Sequence, residues 1–484
     1  MSLTVTLFAI RTLAALERVE PTDGDRIELA ATEVTVVETH WSETGLRARP
    51  WTPSKRVGTL GRGTRLQIRG TIESRDSAGC HGKPWYAVYP FGFVCSEHVR
   101  RSKQAPAVGK ALPLGRDRRL PYDYVLTRGE AAPMYASVAD ISAGNVARTL
   151  PAGMNLAVAR TLVVDGTSYI ETVDGMLVAR QHLGWLGQGS DWAGVALQGG
   201  VPGPAFAWTL REKTPVFAAP EPGAVQLGFL PLRARVALLE ESGEVEAERW
   251  WQIAEGQWVQ AAHLAEVMII EAPEGVLRDN RVRTGNDQWI DVNLGEQVLV
   301  AYRGAEPVYA TLVASGKGSP TPRGNYPIWA KVASMTMANQ DYEDKPYMVE
   351  HVPWVLLFQG HNALHGAYWH DRFGNRRSHG CVNLAPRDAR WVFEWVAPTL
   401  PIGWTGYIPA DLERSVVVHV RDSSLPPAEA FIQERPIGPP DPEEEKRKLE
   451  LAEQRRAEQA AADPANADPA AADPTTIPAS VAGQ

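Results

Sequence analysis

The sequence predicts a mainly β chain of three or four domains, and three observations carry that prediction. Its 484 residues exceed the size at which a single core keeps growing. It holds 42 Gly, 37 Pro and 16 Trp, which suits many short strands and turns better than a helical bundle. A pattern of aromatic-led strand, Gly-containing turn, apolar strand and closing His-Val or His-Leu occurs in three copies, at Trp85–Val99, Tyr169–Leu183 and Trp251–Leu264.

Charge and hydropathy exclude some classes. The net charge is −8, of which residues 435–484, with ten acids and six bases, supply −4. The remainder is close to balance and lacks the basic footprint that nucleic-acid binding requires. No apolar run reaches the eighteen or so residues of a membrane-spanning helix. Leu3–Ile10 is short, has no basic residue ahead of it and is followed by Arg11, so it does not read as a signal peptide.

Residues 1–33 read as an extension with a short helix over Thr12–Glu20, ended by Pro21. Residues 34–103 then give short β segments at Glu33–Thr39, Gly45–Arg49, Arg65–Arg69 and Trp85–Val88, ending in Gly92–His98. This stretch resembles the bacterial SH3-like modules, which are small β-barrels often attached to wall enzymes. The repeats place further modules at 120–190 and 204–268. In the third, Lys213–Phe217 and Gly228–Pro231 match the module's opening and turn. The second is looser over Asp140–Gly153, with an irregular subdomain as the alternative. His98, His182 and His263 recur at one place in the repeat and read as closing residues rather than metal ligands. The Trp residues read first as core, with a sugar or peptide groove as the functional alternative.

Cys80 and Cys95 lie fifteen positions apart on segments that would pair in a small barrel. That suggests a disulfide and an oxidising compartment, the alternative being two buried free thiols. A bridge closing such a loop contributes about 3 kcal/mol in the chain-entropy model. Cys381 is then the unpaired cysteine.

Chemistry concentrates in His361–Leu384, where His361, His365 and His370 precede Ser378-His379-Gly380-Cys381. A thiol attacks as its thiolate, so a Cys with a reachable imidazole is the minimum equipment for acyl transfer. An imidazolium that lowers the thiol by about two units from its ordinary 8.5 stabilises the thiolate by roughly 2.7 kcal/mol. Val355–Phe358 reads as a buried strand and Leu364–Gly366 as the next, after a turn at Gly360–Asn362. Ala389, Val392, Phe393 and Val396 fall on one helical face, opened by Pro386 and closed before Pro398. His365 thus ends a strand, Cys381 enters a helix, and a Gly beside each admits a substrate backbone. The Gly380 and Cys381 amides are candidates to hold an oxyanion.

These residues resemble the L,D-transpeptidase (YkuD-type) family: His365, twelve residues, then Ser378-His379-Gly380-Cys381-Val382-Asn383. Ser315-Gly316-Lys317 with Thr321-Pro322-Arg323-Gly324, and Tyr347–Trp354, resemble its upstream segments. The resemblance covers residues 286–410 and implies a mostly β catalytic domain with one or two helices. It further implies Cys381 as nucleophile, His365 as base, the Gly366 carbonyl orienting the imidazole, and the His379, Gly380 and Cys381 amides on the oxyanion. His361, with sixteen residues between it and Ser378, is the alternative base. Ser378, Asn383, Tyr347, Trp369 and Arg377 are candidate contacts to substrate. The implied partner is a peptidoglycan stem peptide: Cys381 attacks the carbonyl of the third residue, D-Ala leaves, and an amine of another stem takes the acyl group in a 3-3 cross-link. Water as acceptor would make an L,D-carboxypeptidase. No cofactor or metal is implied, and the location is the cell envelope.

Two rivals stand beside this reading. His361 and His365 form H-x3-H and with Cys381 or His379 would make a zinc set, although the pair crosses a turn and lacks an acidic partner. Alternatively, Cys381 is a small buried hydrophobe in an inert domain and wall binding by the repeats is the function. Residues 325–350, with Met335, Met337 and Tyr347, read as a non-periodic flap over the cleft. From Arg435 onward a Pro-, Ala- and acid-rich composition, with one charged helical patch over Glu443–Ala461, cannot bury a core and predicts a disordered tail.

Overall fold

The structure is a computed structural model and describes residues 29–426 except 42, 73–79, 107–111, 113, 116, 130, 243–247, 278–286, 318–320 and 339–346. The expected Thr12–Glu20 helix and the tail from Arg435 lie outside the described residues. The fold is mainly β, with two α-helices among the described residues, Val138–Ala143 and Pro386–Trp395. No helix there is long and apolar enough to cross a membrane.

A continuous series of strand pairs runs through the molecule. In the first repeat Val36–Thr39, Arg65–Ile72, Trp85–Val88, Phe93–Cys95, Glu43–Arg47 and Arg56–Gly61 pair successively and antiparallel. Arg56–Gly61 then pairs with Trp404–Tyr407, which leads through Ala330–Ala338 and Met348–Gln359 to Asn362–Gly366. That strand pairs in parallel with Val382–Leu384, which pairs with Glu306–Ala314. Val298–Arg303, Gln288–Asn293, Val417–Arg421 and Gly324–Pro327 complete the series.

The expected small barrels do not close. The free edge of Arg56–Gly61 is covered by Trp404–Tyr407, so Trp404 and Tyr407 join Leu46, Leu60 and Val94 in the first repeat's core. Covering an edge satisfies its unpaired amides and carbonyls. The second repeat is an open ladder whose core takes in Met348 from the strand Met348–Gln359. The third forms two separate sheets, and its Gly203–Thr209 and Leu264–Ile269 strands share a core with Trp289, Val298 and Leu312. What repeats faithfully is the closing turn. Ser96–His98, Arg180–His182 and Ala261–His263 are 3-10 turns entered at φ −64°, −63° and −63°. Cys80 and Cys95 are disulfide-bonded.

Two expectations about the catalytic region change. Of the expected flap over 325–350, residues 339–346 lie outside the described residues, and the described part is ordered as strands, Ala330–Ala338 pairing antiparallel with Met348–Gln359. The alternation of buried residues is broken by a shift between Met335 and Met337, which hides its period. The domain also extends past 410, because Val417–Arg421 lies between Gln288–Asn293 and Gly324–Pro327.

Candidate active site

The local sequence explains how the two reactive side chains are placed. Val355–Phe358 is apolar and buried, as an inner strand must be. Gly360, at φ 52°, turns the chain back into Asn362–Gly366. Residues 367–380 then loop out and return so that His365 is the register partner of Asn383. Cys381 immediately precedes the strand Val382–Leu384, two residues before Asn383. Pro386 opens the following helix at its first turn.

The turn before the thiol is held from several sides. Gly380 sits at φ 147°, and a β-carbon there would lie 2.4 Å from Asn362 Oδ1, so only Gly fits. The Ser378 hydroxyl donates to the Cys381 carbonyl and accepts from the Gly380 amide at 3.1 Å. Thr321 Oγ1 donates to the Gly380 carbonyl at 2.7 Å and accepts from Gly316 N at 3.1 Å. Ser315, whose carbonyl accepts from both Arg377 and Ser378 amides, is in turn fixed by Gln297.

His365 is 2% exposed, and its Nδ1–H donates to the Gly366 carbonyl at 3.3 Å. That bond leaves Nε2 with a lone pair for a proton. Burial drives the imidazole down to about 4, against the opposing pull of the Gly366 carbonyl. Cys381 Sγ lies 3.8 Å from the His361 carbonyl, and burial pushes its thiol up to about 11, with the Ala363 amide opposing. Both groups are therefore neutral at rest. Both shifts oppose the thiolate–imidazolium pair expected from the sequence, because desolvation penalises both charges.

The other expected residues gather to different degrees. Trp369 stacks against His365, with ring centroids 5.8 Å apart. Tyr347 meets the exposed His379 ring at 5.5 Å. Arg377 has an exposed side chain whose charge helps depress His370. His361 is exposed in the turn and offers the thiol its carbonyl. The Gly380 amide is already engaged by Ser378, whereas the His379 and Cys381 amides meet no acceptor among the described residues. No group of three His, Cys, Asp or Glu side chains is arranged to hold a metal among the described residues.

His370 has a part that sequence reasoning did not assign. Its Nδ1 accepts from the Arg372 amide at 3.2 Å, so Nε2 carries the proton, and Nε2 lies 2.9 Å from the Asn383 amide group. A protonated Nε2 needs an acceptor, so the amide oxygen of Asn383 belongs on the ring and its NH2 faces away. This assignment also gives the otherwise unpartnered buried Asn383 Oδ1 its donor. Burial, followed by the Arg377 charge, lowers His370 to about 4 and keeps it neutral. Three histidines before the motif were the available signal. Asn362 and Gln297 carried none.

Comparison with known proteins agrees with the motif. Residues 287–417 match the family model of the L,D-transpeptidase catalytic domain, YkuD. The chain is 27% identical over 120 residues to YciB of Bacillus subtilis (strain 168), a candidate L,D-transpeptidase, covering 22% of this chain and 59% of that protein. It thus spans less than two thirds of that curated relative. Among solved structures, the catalytic domain of the E. faecium L,D-transpeptidase acylated by ertapenem is 23% identical, over 28% of this chain and 96% of that one, with TM-score 0.23. An L,D-transpeptidase from Mycobacterium smegmatis is 15% identical over 48% and 100%, with TM-score 0.23. The segment carrying His365 and Cys381, about a quarter of the chain, thus matches the YkuD L,D-transpeptidase catalytic-domain family.

Proposed function

We propose that this chain is a peptidoglycan L,D-transpeptidase of the cell envelope, with Cys381 as nucleophile and His365 as its base. The carrying observation is the parallel strand pair in which His365 partners Asn383, two residues past Cys381, with the Gly366 carbonyl holding the tautomer whose Nε2 accepts. Because the resting pair is neutral, proton transfer accompanies attack. Sγ adds to the carbonyl of the stem's third residue while its proton passes to His365 Nε2. The oxyanion takes the His379 and Cys381 amides, in place of the three amides first expected. Collapse breaks the C–N bond, the D-Ala amine leaves with the His365 proton, and a thioester remains. An acceptor amine attacks that thioester, His365 takes its proton, and the thiol is restored.

The Asn383 NH2, turned away from His370, donates to a substrate carbonyl, and Tyr347 with His379 forms the facing wall. We read the three repeats as SH3-like modules fused to the catalytic sheet, and the Cys80–Cys95 bridge supports export to an oxidising compartment. The test is incubation of the full chain with a disaccharide tetrapeptide. Free D-Ala together with 3-3 dimers, both lost in Cys381→Ala, is expected. D-Ala without dimers would make water the acceptor. No release by a folded, reduced protein would overturn the acyl-transfer reading.

A further inference from the structure

The loop that joins the base to the nucleophile is gripped by the third repeat. Asp371 lies on this loop, directly after Trp369, which stacks on His365, and His370, which bonds Asn383. Its side chain is 53% exposed, a position where an aspartate ordinarily stays solvated. Here Arg233 Nη2 donates to both the Asp371 carbonyl, at 2.9 Å, and its Oδ1, at 2.8 Å. The Ser190 hydroxyl donates to the same Oδ1 at 2.5 Å. Burial alone would raise the Asp371 carboxyl, but Arg233 and then Ser190 pull it below its ordinary value.

Arg233 itself is built into place. Its side chain is only 10% exposed and its guanidinium lies 5.3 Å from the Trp192 ring. Its backbone sits at φ 61°, a left-handed conformation that a long side chain adopts only where the surroundings impose it. Its amide donates to the Thr209 carbonyl at 2.8 Å. A second contact from the same repeat lies three residues further along the loop. Gly374, at φ 93°, packs so closely on Leu210 that a β-carbon would come within 2.5 Å of it. An ion pair with one half-exposed member adds little to stability, so stability does not account for this arrangement. Geometry does: reacting groups displaced by about 1 Å lose on the order of a hundredfold in rate.

We propose that Arg233 is a positioning residue of the acyl-transfer site, holding Asp371 so that Trp369 and His370 set the His365 ring and the Asn383 amide. This rests on the acyl-transfer reading of Cys381 and makes the third repeat part of the catalytic unit, whatever else the repeats bind.

The test uses the full chain with Arg233→Met, Arg233→Lys, Asp371→Asn and the Arg233→Met/Asp371→Asn double variant. Two readouts are taken: nitrogen NMR shifts of the His365 and His370 rings, and kcat and KM for D-Ala release. We expect Arg233→Met to move both rings' signals and to lower kcat 10- to 100-fold, with KM within about threefold and an unchanged circular dichroism spectrum. The double variant is expected to lose no more than the worse single one, and Arg233→Lys to recover part of the rate. Unmoved ring signals in folded Arg233→Met protein would overturn the proposal, as would additive losses. An inactive wild type would defeat the acyl-transfer reading instead, while the ring signals would still decide whether Arg233 sets the site.

Discussion

His365 is the register partner of Asn383 across a parallel strand pair, and Cys381 lies two residues before Asn383. The proposed base and the proposed nucleophile thus lie on neighbouring segments of one strand pair. It also joins His365 to His370, because Asn383 is the group His370 bonds.

Cys381 reacts slowly with a probe that cannot recruit the base. With its thiol pushed up to about 11, it holds far less thiolate at neutral pH than a free cysteine near 8.5, which is itself only a few per cent ionised there. Iodoacetamide alkylation at pH 7.5 is expected to run at least tenfold slower than for free cysteine and to climb with each pH unit towards 11. His365→Ala is expected to cut acyl transfer by a factor on the order of 10² to 10⁴ while changing this alkylation little. Fast alkylation with a plateau below pH 7 would instead reveal a standing thiolate.

Thr321 links two motifs by bridging Gly316 N and the Gly380 carbonyl inside the core. Thr321→Val keeps the shape and leaves both groups unpaired, so a loss of about 1–3 kcal/mol is expected in chemical denaturation. Acyl transfer falls with it, because the Gly380 turn loses its anchor.

Glu350 gives a pH signature. The carboxyl is 5% exposed, takes one bond from the Ala157 amide at 3.0 Å, and burial raises it to about 7. The folded state therefore prefers it protonated: its contribution is intact below the unfolded value near 4.5 and is lost as the pH rises to about 7. That loss is on the order of 3 kcal/mol. Glu350→Gln keeps the acceptor without the charge. Denaturation at pH 4.5 and pH 8 is expected to show the variant gaining on wild type by about that amount at the higher pH. A pH-independent difference would contradict it.

The Cys80–Cys95 bridge closes a fifteen-residue separation in the first repeat. Removing it with Cys80→Ala/Cys95→Ala is expected to cost about 3 kcal/mol. The first repeat shares a core with Trp404 and Tyr407, so the catalytic sheet's melting temperature, followed by Trp fluorescence, should fall as well.

Much of the site was legible because its signals are local. Cys381, His365 and Gly366 lie within one short run, and the Pro386 helix declares itself by the spacing of Ala389, Val392 and Phe393. The disulfide followed from two cysteines fifteen positions apart within one small repeat. What was not legible depends on residues far apart in the chain. The edge of the first repeat is covered by a strand nearly 350 residues later, Gly58 opposite Tyr407, which no repeat period announces. The neutrality of Cys381 and His365 comes from burial under several elements, whereas the sequence shows only the two partners. Arg233 and Asp371 are 138 positions apart and belong to no motif. Val417–Arg421 lies beyond the expected domain boundary at 410, yet its parallel pairing with Gln288–Asn293 makes it an inner strand.

The most direct test of the central claim is intact mass after mixing the full chain with a carbapenem, whose lactam carbonyl acylates a nucleophilic thiol. A single stoichiometric adduct on wild type, absent from folded Cys381→Ala and formed far more slowly on His365→Ala, is the predicted result. Folded, reduced wild type that forms no adduct, or an adduct that persists in Cys381→Ala, would contradict it.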